Sequence, residues 1–329
     1  MTERHFDVVR RMTMHKVVAL SAVLLLIPLY CMGTDVVAKF HIQDESGTPV
    51  TNAVVAIDTR RDKIEKSAHG RIAMREIRAR TDGEGHADID FPCFSGEFRY
   101  SVSAPGFYSW RSPDVLFKRR EGGLFGLELT EHEKNIEVVL RKVRNPIPMC
   151  GCKGRFKIPS AEGRFGFDLE KCDWVRPYGV GVHADFWIRY EEKGCDERNY
   201  QSRGVMEFEG KFDGAYKTRT IPGSSFQTVY EADVQATYLQ TLDLYSWCRT
   251  GSEFQEKAMV GDADCLVLRT RSVVDKDGRL VSCNYSRIRG MIYTMERAFH
   301  LGGTAFNPLP NDPNLEFDET RNLAPRRRR

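Results

Sequence analysis

Two sets of side chains in this chain are of types that do chemistry. The first is the cysteines. Nine are present, and apart from Cys31 near the N-terminus they are Cys93, Cys150, Cys152, Cys172, Cys195, Cys248, Cys265 and Cys283. An even number of thiols in an exported protein favours disulfides, and all eight are candidates, with connectivity that spacing does not reveal. At least two bridges are expected. Cys150-Gly151-Cys152 is the one tight pair, readable as a local bridge, a redox site or half of a metal site. Zinc sites usually separate paired ligands by two residues or more, and no histidine pair lies nearby. The expectation is that each cysteine bonds a distant partner, and that no metal or other cofactor is held.

The second set is His183 and Asp185, two apart and so on one face of a strand, with Asp173 upstream. A base and an acid so placed suit general acid–base chemistry. No nucleophile elbow, HExxH helix, phosphate loop or dinucleotide turn accompanies them. Trp174, Tyr178 and Trp187 lie in the same stretch. Aromatics on an exposed sheet face stack on sugar rings, whereas buried ones fill cores. Alternation places Trp187 opposite the face of Phe186 and Ile188. Asp275-Lys276-Asp277-Gly278 resembles the start of a calcium loop but lacks the glutamate twelve residues along, so it reads as a hairpin turn.

Oxidised cysteines require an oxidising compartment, and the N-terminus supplies a route to one. Arg10, Arg11 and Lys16 precede an apolar run over residues 17–29, and Cys31-Met32-Gly33 follows. This is the pattern of a secretory leader, with an apolar run shorter than the roughly 20 residues of a membrane-spanning helix. Cleavage is expected between Gly33 and Thr34, giving an extracytoplasmic protein (periplasmic, secreted or on the cell surface) with no transmembrane span in its mature chain. Acylation of Cys31 is the alternative, disfavoured by the bulk of Tyr30 beside it. Without residues 1–33 the chain carries 45 basic and 44 acidic side chains. Near-neutrality excludes the basic footprint of a nucleic-acid binder. Arg326, Arg327, Arg328 and Arg329 are read as a solvated basic tail.

The elements that must position these residues are strands. Val36, Ala38, Phe40 and Ile42 alternate with polar residues. Ala53, Val55 and Ile57 follow the turn at Gly47, and Ala87, Ile89 and Phe91 follow the turn at Gly83 and Gly85. Phe98, Tyr100, Val102 and Ala104 lead to Pro105-Gly106, and Ile136, Val138 and Leu140 close the set. Short alternating strands with turn residues between them predict a β-sandwich over residues 34–149. The stretches D-E-S-G-T-P-V-T-N-A-V-V, T-D-G-E-G-H-A, S-V-S-A-P-G-F-Y and I-E-V-V-L resemble the carboxypeptidase regulatory-like family. That resemblance implies an immunoglobulin-like or transthyretin-like sandwich used as an accessory module, with no catalytic residue. An insertion over residues 60–80 interrupts the pattern with eight Lys/Arg and three acidic residues. It is read as a solvated excursion.

Residues 145–149, with two prolines, are expected to form an extended linker. A second β-rich domain is expected over residues 150–325. Val182, Ala184, Phe186, Ile188 and Tyr190 alternate with His183, Asp185 and Trp187. A hairpin is expected from Leu266 through the turn at Gly278 to Ser282, and residues 230–244 are the one ambiguous helix candidate. P-I-P-M, F-D-L-E-K-C-D-W-V-R-P-Y-G-V-G-V-H-A-D-F and N-P-L-P-N-D-P-N-L-E-F-D-E-T-R-N-L resemble a group of exported bacterial proteins to which no activity is attached. In that group other residues are expected at Cys150, Cys152 and Cys172, so no shared redox or metal role follows. Residues 306–323 are rich in Pro and Asn yet keep Leu309, Leu315, Phe317 and Leu323, and are expected to pack as an extended strap.

The fold class expected is thus mainly β: an N-terminal sandwich plus a second β-rich domain. The function expected is that of an exported cell-envelope protein of binding or structural type, with an envelope glycan or protein as partner and no nucleic acid. The alternative is an envelope hydrolase using His183, Asp185 and Asp173.

Overall fold

The computed structural model describes residues 34–58, 76–93, 96–122, 126–196, 199–250, 253–258, 260–295 and 297–325. The N-terminal segment expected to be a leader, with Cys31 and Gly33, most of the basic insertion and the four terminal arginines lie outside them, as does the side chain of Cys195. The chain divides into two compact units, one of residues Met1–Lys142 with Gly223–Ser225 and one of Val143–Pro222 with Phe226–Arg329. No α-helix forms among the described residues.

Among the described residues ten strands build the first unit: β1 (Thr34–Asp44), β2 (Val54–Asp58), β3 (Ile77–Arg80), β4 (His86–Cys93), β5 (Glu97–Ser103), β6 (Trp110–Arg111), β7 (Val115–Leu116), β8 (Arg119–Gly122), β9 (Gly126–Leu129) and β10 (Glu133–Leu140). One sheet has the order β10-β1-β4, with β1 parallel to β10 and antiparallel to β4. A second runs β3-β2-β5-β6, with β7 also on β5, and β8 pairs with β9 in a separate two-stranded sheet. The alternation foreseen for these strands holds. Val36, Ala38, Phe40 and Ile42 of β1, Ala87, Ile89 and Phe91 of β4, and Phe98, Tyr100 and Val102 of β5 turn into one core with Val55, Ile57, Val138 and Leu140. Two sheets closing over a shared core make a sandwich.

The turns are held by their own side chains. Asp44 Oδ1 accepts the backbone N–H groups of Ser46 (2.8 Å) and Thr48 (3.0 Å). Lys142, and then Ser46, hold the Asp44 carboxyl well below the usual carboxylate range. Gly85 has φ +80°, and a Cβ there would lie 2.4 Å from the carbonyl oxygen of Ile42, so only glycine fits. Gly223 of the short added segment packs on Trp110, and its carbonyl accepts the Arg111 N–H at 2.7 Å.

Among the described residues thirteen strands build the second unit: β11 (Gly154–Lys157), β12 (Glu162–Asp168), β13 (Asp173–Trp174), β14 (Phe186–Asp196), β15 (Asn199–Glu207), β16 (Gly214–Arg219), β17 (Thr241–Thr250), β18 (Glu253–Ala258), β19 (Asp264–Val274), β20 (Leu280–Arg289), β21 (Tyr293–Met295), β22 (Ala298–Leu301) and β23 (Gly303–Phe306). They form sheets of order β13-β12-β14-β15-β17-β18, β16-β19-β20-β23 and β11-β22-β21. Phe165, Phe167, Phe186, Ile188, Leu266, Leu268, Phe299 and Phe306 meet in the main core. The β19–β20 hairpin turns as expected at residues 275–278. Asp275 Oδ1 accepts the N–H groups of Asp277 (2.9 Å) and Arg279 (2.8 Å), so this carboxylate caps its own turn.

Three expectations are corrected. Residues 145–149 are not a free linker. Ile147 pairs in parallel with Phe317, and Met149 is fully buried in the second unit. Residues 230–244 do not form a helix. Tyr230 and Ala232 instead exchange backbone hydrogen bonds with Leu315 and Pro313, and β17 begins at Thr241. The strap at residues 306–323 docks through Phe306 and Leu315, both fully buried, whereas Leu309 and Leu323 stay more than half exposed.

Candidate functional site

The stretch from Phe167 to Phe186 is organised by one cation. Asp168 ends β12, and residues 169–172 form the turn into β13. On β19 the ladder register shifts after Thr270, and Arg271 takes φ +57°, a bulge that re-aims its side chain. The guanidinium meets three carboxylates. Nε is 2.8 Å from Asp185 Oδ1, Nη1 is 2.8 Å from Glu170 Oε2, and Nη2 is 3.2 Å from Asp168 Oδ1. The same group lies 4.4 Å from the centroid of the Phe306 ring. Asp168 and Asp185 are fully buried, and their other bonds tie the neighbouring backbone. Asp168 Oδ1 accepts the N–H groups of Glu170 and Lys171 (3.0 Å each), and Oδ2 those of Val182 (2.8 Å) and His183 (3.1 Å). Asp185 takes the N–H of Leu169 (2.7 Å) and the hydroxyl of Thr270 (3.1 Å).

Electrostatics follow from this packing. Burial opposes the Arg271 cation, but its bonds to Asp185 and Glu170 and the field of Asp168 raise its pKa above the ordinary arginine value. Burial pushes the Asp185 carboxyl up, against the pull of Arg271. Arg271, then Lys171, lower that of Glu170. Fully bonded buried ions of this kind fix a geometry. What they fix is the turn that ends at Cys172, whose φ is +54°.

Cys172 is bonded to Cys152, with Cα atoms 6.1 Å apart and a sequence separation of 20. The expectation of a distant partner holds for Cys152. It fails for Cys150, Cys248, Cys265 and Cys283, which keep free thiols, and Cys93 directs its thiol to the Glu97 carbonyl (3.8 Å). Two or more bridges are therefore not found among the described residues. The strand registers explain why. Cys265 is the second residue of β19, opposite Arg289 at the end of β20, while Cys283 sits towards the other end of β20, and Cys248 belongs to a different sheet.

The disulfide forms one wall of a cleft of about 490 Å³. Lys153 and Arg289 line it with Thr304, Phe317, Glu319 and Asn322. Asn322 is engaged, accepting the Gly151 N–H (3.0 Å) and donating to the Gly151 carbonyl (2.9 Å). Lys153, Arg289 and Glu319 form no ion pair among the described residues. The cleft thus offers two cations, one carboxylate and one aromatic ring.

The residues singled out from sequence fall elsewhere. Strand β14 begins at Phe186, so His183 and Asp185 lie in the loop before it, not on one strand face. The loop wraps around Asp168, which takes successive N–H groups from Val182 and His183 and leaves Val182 exposed. His183 is exposed, Asp185 is buried on Arg271, and Asp173 Oδ2 accepts the Val180 N–H at 3.0 Å. Asp185 is a clamp rather than a general base. Trp174 is a core residue whose indole N–H donates to the Lys157 carbonyl (2.8 Å). Tyr178 is 55% exposed and meets the edge of Phe165. Trp187 is half-buried on the opposite face, as alternation predicts, under the Arg164 guanidinium at 4.5 Å. The three aromatics form no common platform. Sequence reasoning missed Arg271, Asp168 and Glu170, and missed Lys153, Arg289 and Glu319. The one available signal was the density of acids and turn residues in F-D-L-E-K-C-D, which asks for a cation without saying where it comes from.

No family model matches the chain, and no curated protein matches it. Among solved structures, 3-chlorocatechol 1,2-dioxygenase from Rhodococcus opacus 1CP aligns at 11% identity and a TM-score of 0.25, over 34% of this chain and 61% of that chain. A protein of unknown function from Bacteroides fragilis NCTC 9343 aligns at 8% identity and a TM-score of 0.18, over 84% of this chain and 96% of that chain. Likenesses this distant assign neither a family nor an activity.

Proposed function

We propose that this chain is an exported cell-envelope protein of binding type, whose second unit holds a charged ligand in the cleft beside Cys152–Cys172. The first unit is the accessory sandwich of a carboxypeptidase regulatory-like module. The observation that carries the reading is the cleft, where Lys153 and Arg289 have no acidic partner among the described residues and Glu319 stands with them. Two cations beside a carboxylate suit a carboxylate-bearing ligand that also carries an amine, the chemistry of envelope peptides and amino sugars. A disulfide wall supports an oxidising compartment, in line with the leader-like N-terminus. No observation favours the hydrolase alternative, because Asp185 and His183 share no open site.

The test is a calorimetric and thermal-shift screen of the full mature chain against peptidoglycan fragments, with and without free carboxylates and amines. Binding is expected only for fragments with the free carboxylate. A charge-assisted hydrogen bond contributes about 1.5–3 kcal/mol, so Arg289→Ala should weaken binding by about tenfold or more. Equal binding by Arg289→Ala, or indifference to every fragment, rejects the proposal.

A further inference from the structure

Two cysteines, bonded to each other, line the cleft, and a third, Cys150, is buried in the core behind it. Cys150 and Cys152 lie on one extended segment paired with β23. Cys150 exchanges both backbone hydrogen bonds with Phe306 (2.9 Å each), and the Thr304 N–H donates to the Cys152 carbonyl (2.7 Å). Side chains alternate along such a segment. Cys150 and Cys152 therefore share a face. Gly151 takes the other, where a Cβ would lie 2.4 Å from the Phe317 ring. Cys150 and Cys172 are buried in the same core cluster, with Cys152 half-buried against it. The charges that act on the Cys150 thiol include those of Glu170 and Lys171, the two residues that run directly into Cys172. The unbonded sulfur thus lies on the strand face it shares with Cys152 and in the core cluster it shares with Cys172.

We propose that Cys150 is a resident nucleophile for this disulfide, and that the pair Cys152–Cys172 exchanges internally to Cys150–Cys172. The Cys150 thiolate, its proton given to solvent, attacks Cys172 Sγ. A Cys150–Cys172 bond forms, the Cys152–Cys172 bond breaks, and Cys152 leaves as a thiolate that takes up a proton. One disulfide and one thiol are present before and after, so no outside oxidant or reductant is involved. The exchange changes what the cleft contains. Cys150 is 4% exposed, whereas Cys152 lines the cleft. The step therefore moves the unbonded sulfur from the core to the wall of the cleft, where it becomes a nucleophile available to a bound electrophile or disulfide. The inference rests on the three sulfurs and stands apart from the binding reading.

The surroundings keep the step slow. Burial first, then Glu170 and Asp168, push the Cys150 thiol up to about 11, against Lys171 and Arg271, which favour the thiolate. Attack requires the thiolate, whose fraction below its pKa rises about tenfold per pH unit.

Tandem mass spectrometry of the native, unreduced full chain tests this. The tryptic peptide of residues 145–153 holds both Cys150 and Cys152, so fragmentation must report which sulfur is alkylated. Native wild type incubated with iodoacetamide should accumulate alkylated Cys152 together with a Cys150–Cys172 cross-link. The rate should rise about tenfold per unit between about pH 8 and about pH 10, and Cys150→Ala should abolish it. Cys152→Ser, purified without reductant, should contain a Cys150–Cys172 bond. If that variant does not fold, the wild-type time course decides alone. Alkylation of Cys152 that persists in Cys150→Ala overturns the proposal. So does a wild type that never yields the Cys150–Cys172 cross-link while its circular dichroism stays native.

Discussion

Replacing Arg271 by Met removes the one cation shared by Asp168, Asp185 and Glu170. The side chains of Asp168 and Asp185 are 1% and 0% exposed, against 33% for Glu170. Two of the three carboxylates thus lose their counter-charge without access to water. Removing one partner of a buried ion pair costs about 3–5 kcal/mol. Glu170 adds little, because solvent screens it. For a unit of this size each kcal/mol lowers Tm by about 2–4 °C, so Arg271→Met should melt about 6–20 °C below wild type. The sign of its pH dependence also follows. Burial raises the Asp185 pKa, and without Arg271 it rises further. A raised carboxyl pKa favours the folded state fully below the unfolded value, near 3.9, and that contribution is lost as pH rises through the folded value. The deficit of Arg271→Met should therefore be larger at about pH 8 than at about pH 5. Two controls separate charge from shape. Asp185→Asn in the Arg271→Met background should recover part of the loss. Arg271→Gly should melt slightly above Arg271→Met, because the left-handed φ costs a side-chain-bearing residue about 1 kcal/mol. Urea titration with the m-value checked gives the free energies. A loss under about 1 kcal/mol, or no recovery from Asp185→Asn, would refute the clamp.

Removing the four terminal arginines should leave Tm unchanged, whereas removing everything after Ala305 should abolish the second unit's cooperative transition in calorimetry. The second expectation rests on Phe306 and Leu315, both fully buried, and a transition preserved after the longer truncation refutes it. In wild type the carboxyls of Glu170, Asp82 and Asp318 are lowered, by Arg271, by the His86 N–H and by the Thr320 hydroxyl respectively. Their contribution is complete above the unfolded carboxylate pKa of about 4 and is lost as pH falls below it. Urea midpoints should therefore drop as pH falls below about 4, where the opposite contribution of the raised Asp185 carboxyl is already complete. A midpoint that does not fall below about pH 4 contradicts the assignment.

How much of this was legible in the sequence depended on the range of the interactions. In the first unit the side chains that define each strand are two apart, and the turns are fixed by Gly47, Gly85 and Asp44, so pattern and turn chemistry sufficed. The cluster around Arg271 was not legible. Its acids lie in F-D-L-E and at Asp185, while the cation arrives from a bulge about a hundred residues later, and nothing in the alternation of β19 marks the bulge. The same acids misled the reading of His183 and Asp185. Alternation was extended back through Val182 and Ala184, where the backbone in fact bends to give its N–H groups to Asp168. The aromatic set failed for a related reason, since spacing alone does not distinguish a core tryptophan such as Trp174 from a surface one.

The Pro- and Asn-rich composition of the strap has a mechanical cause that also bears on the cysteines. The segment entering the second unit contains Pro146 and Pro148, so it lacks N–H groups needed for a regular ladder. The strap supplies side chains where backbone pairing fails. Buried Glu316 accepts the N–H groups of Arg144 (2.9 Å) and Asn145 (2.6 Å), and Asn314 donates to the Asn145 carbonyl (2.8 Å). Arg321 donates to the Pro146 carbonyl (2.7 Å), and Asn322 holds both backbone groups of Gly151. Amide side chains both donate and accept, which lets them complete an edge that proline interrupts. The last two contacts flank and include the Cys150-Gly151-Cys152 segment. A strap that lifted would release its backbone from Asn322 on one face while β23 still held it on the other. Strap docking and access to the Cys150 thiol are therefore coupled through Gly151, and a substitution such as Asn322→Ala should accelerate the exchange to Cys150–Cys172 before it measurably lowers the melting temperature. An unchanged rate of Cys152 alkylation in Asn322→Ala at equal stability would break that link.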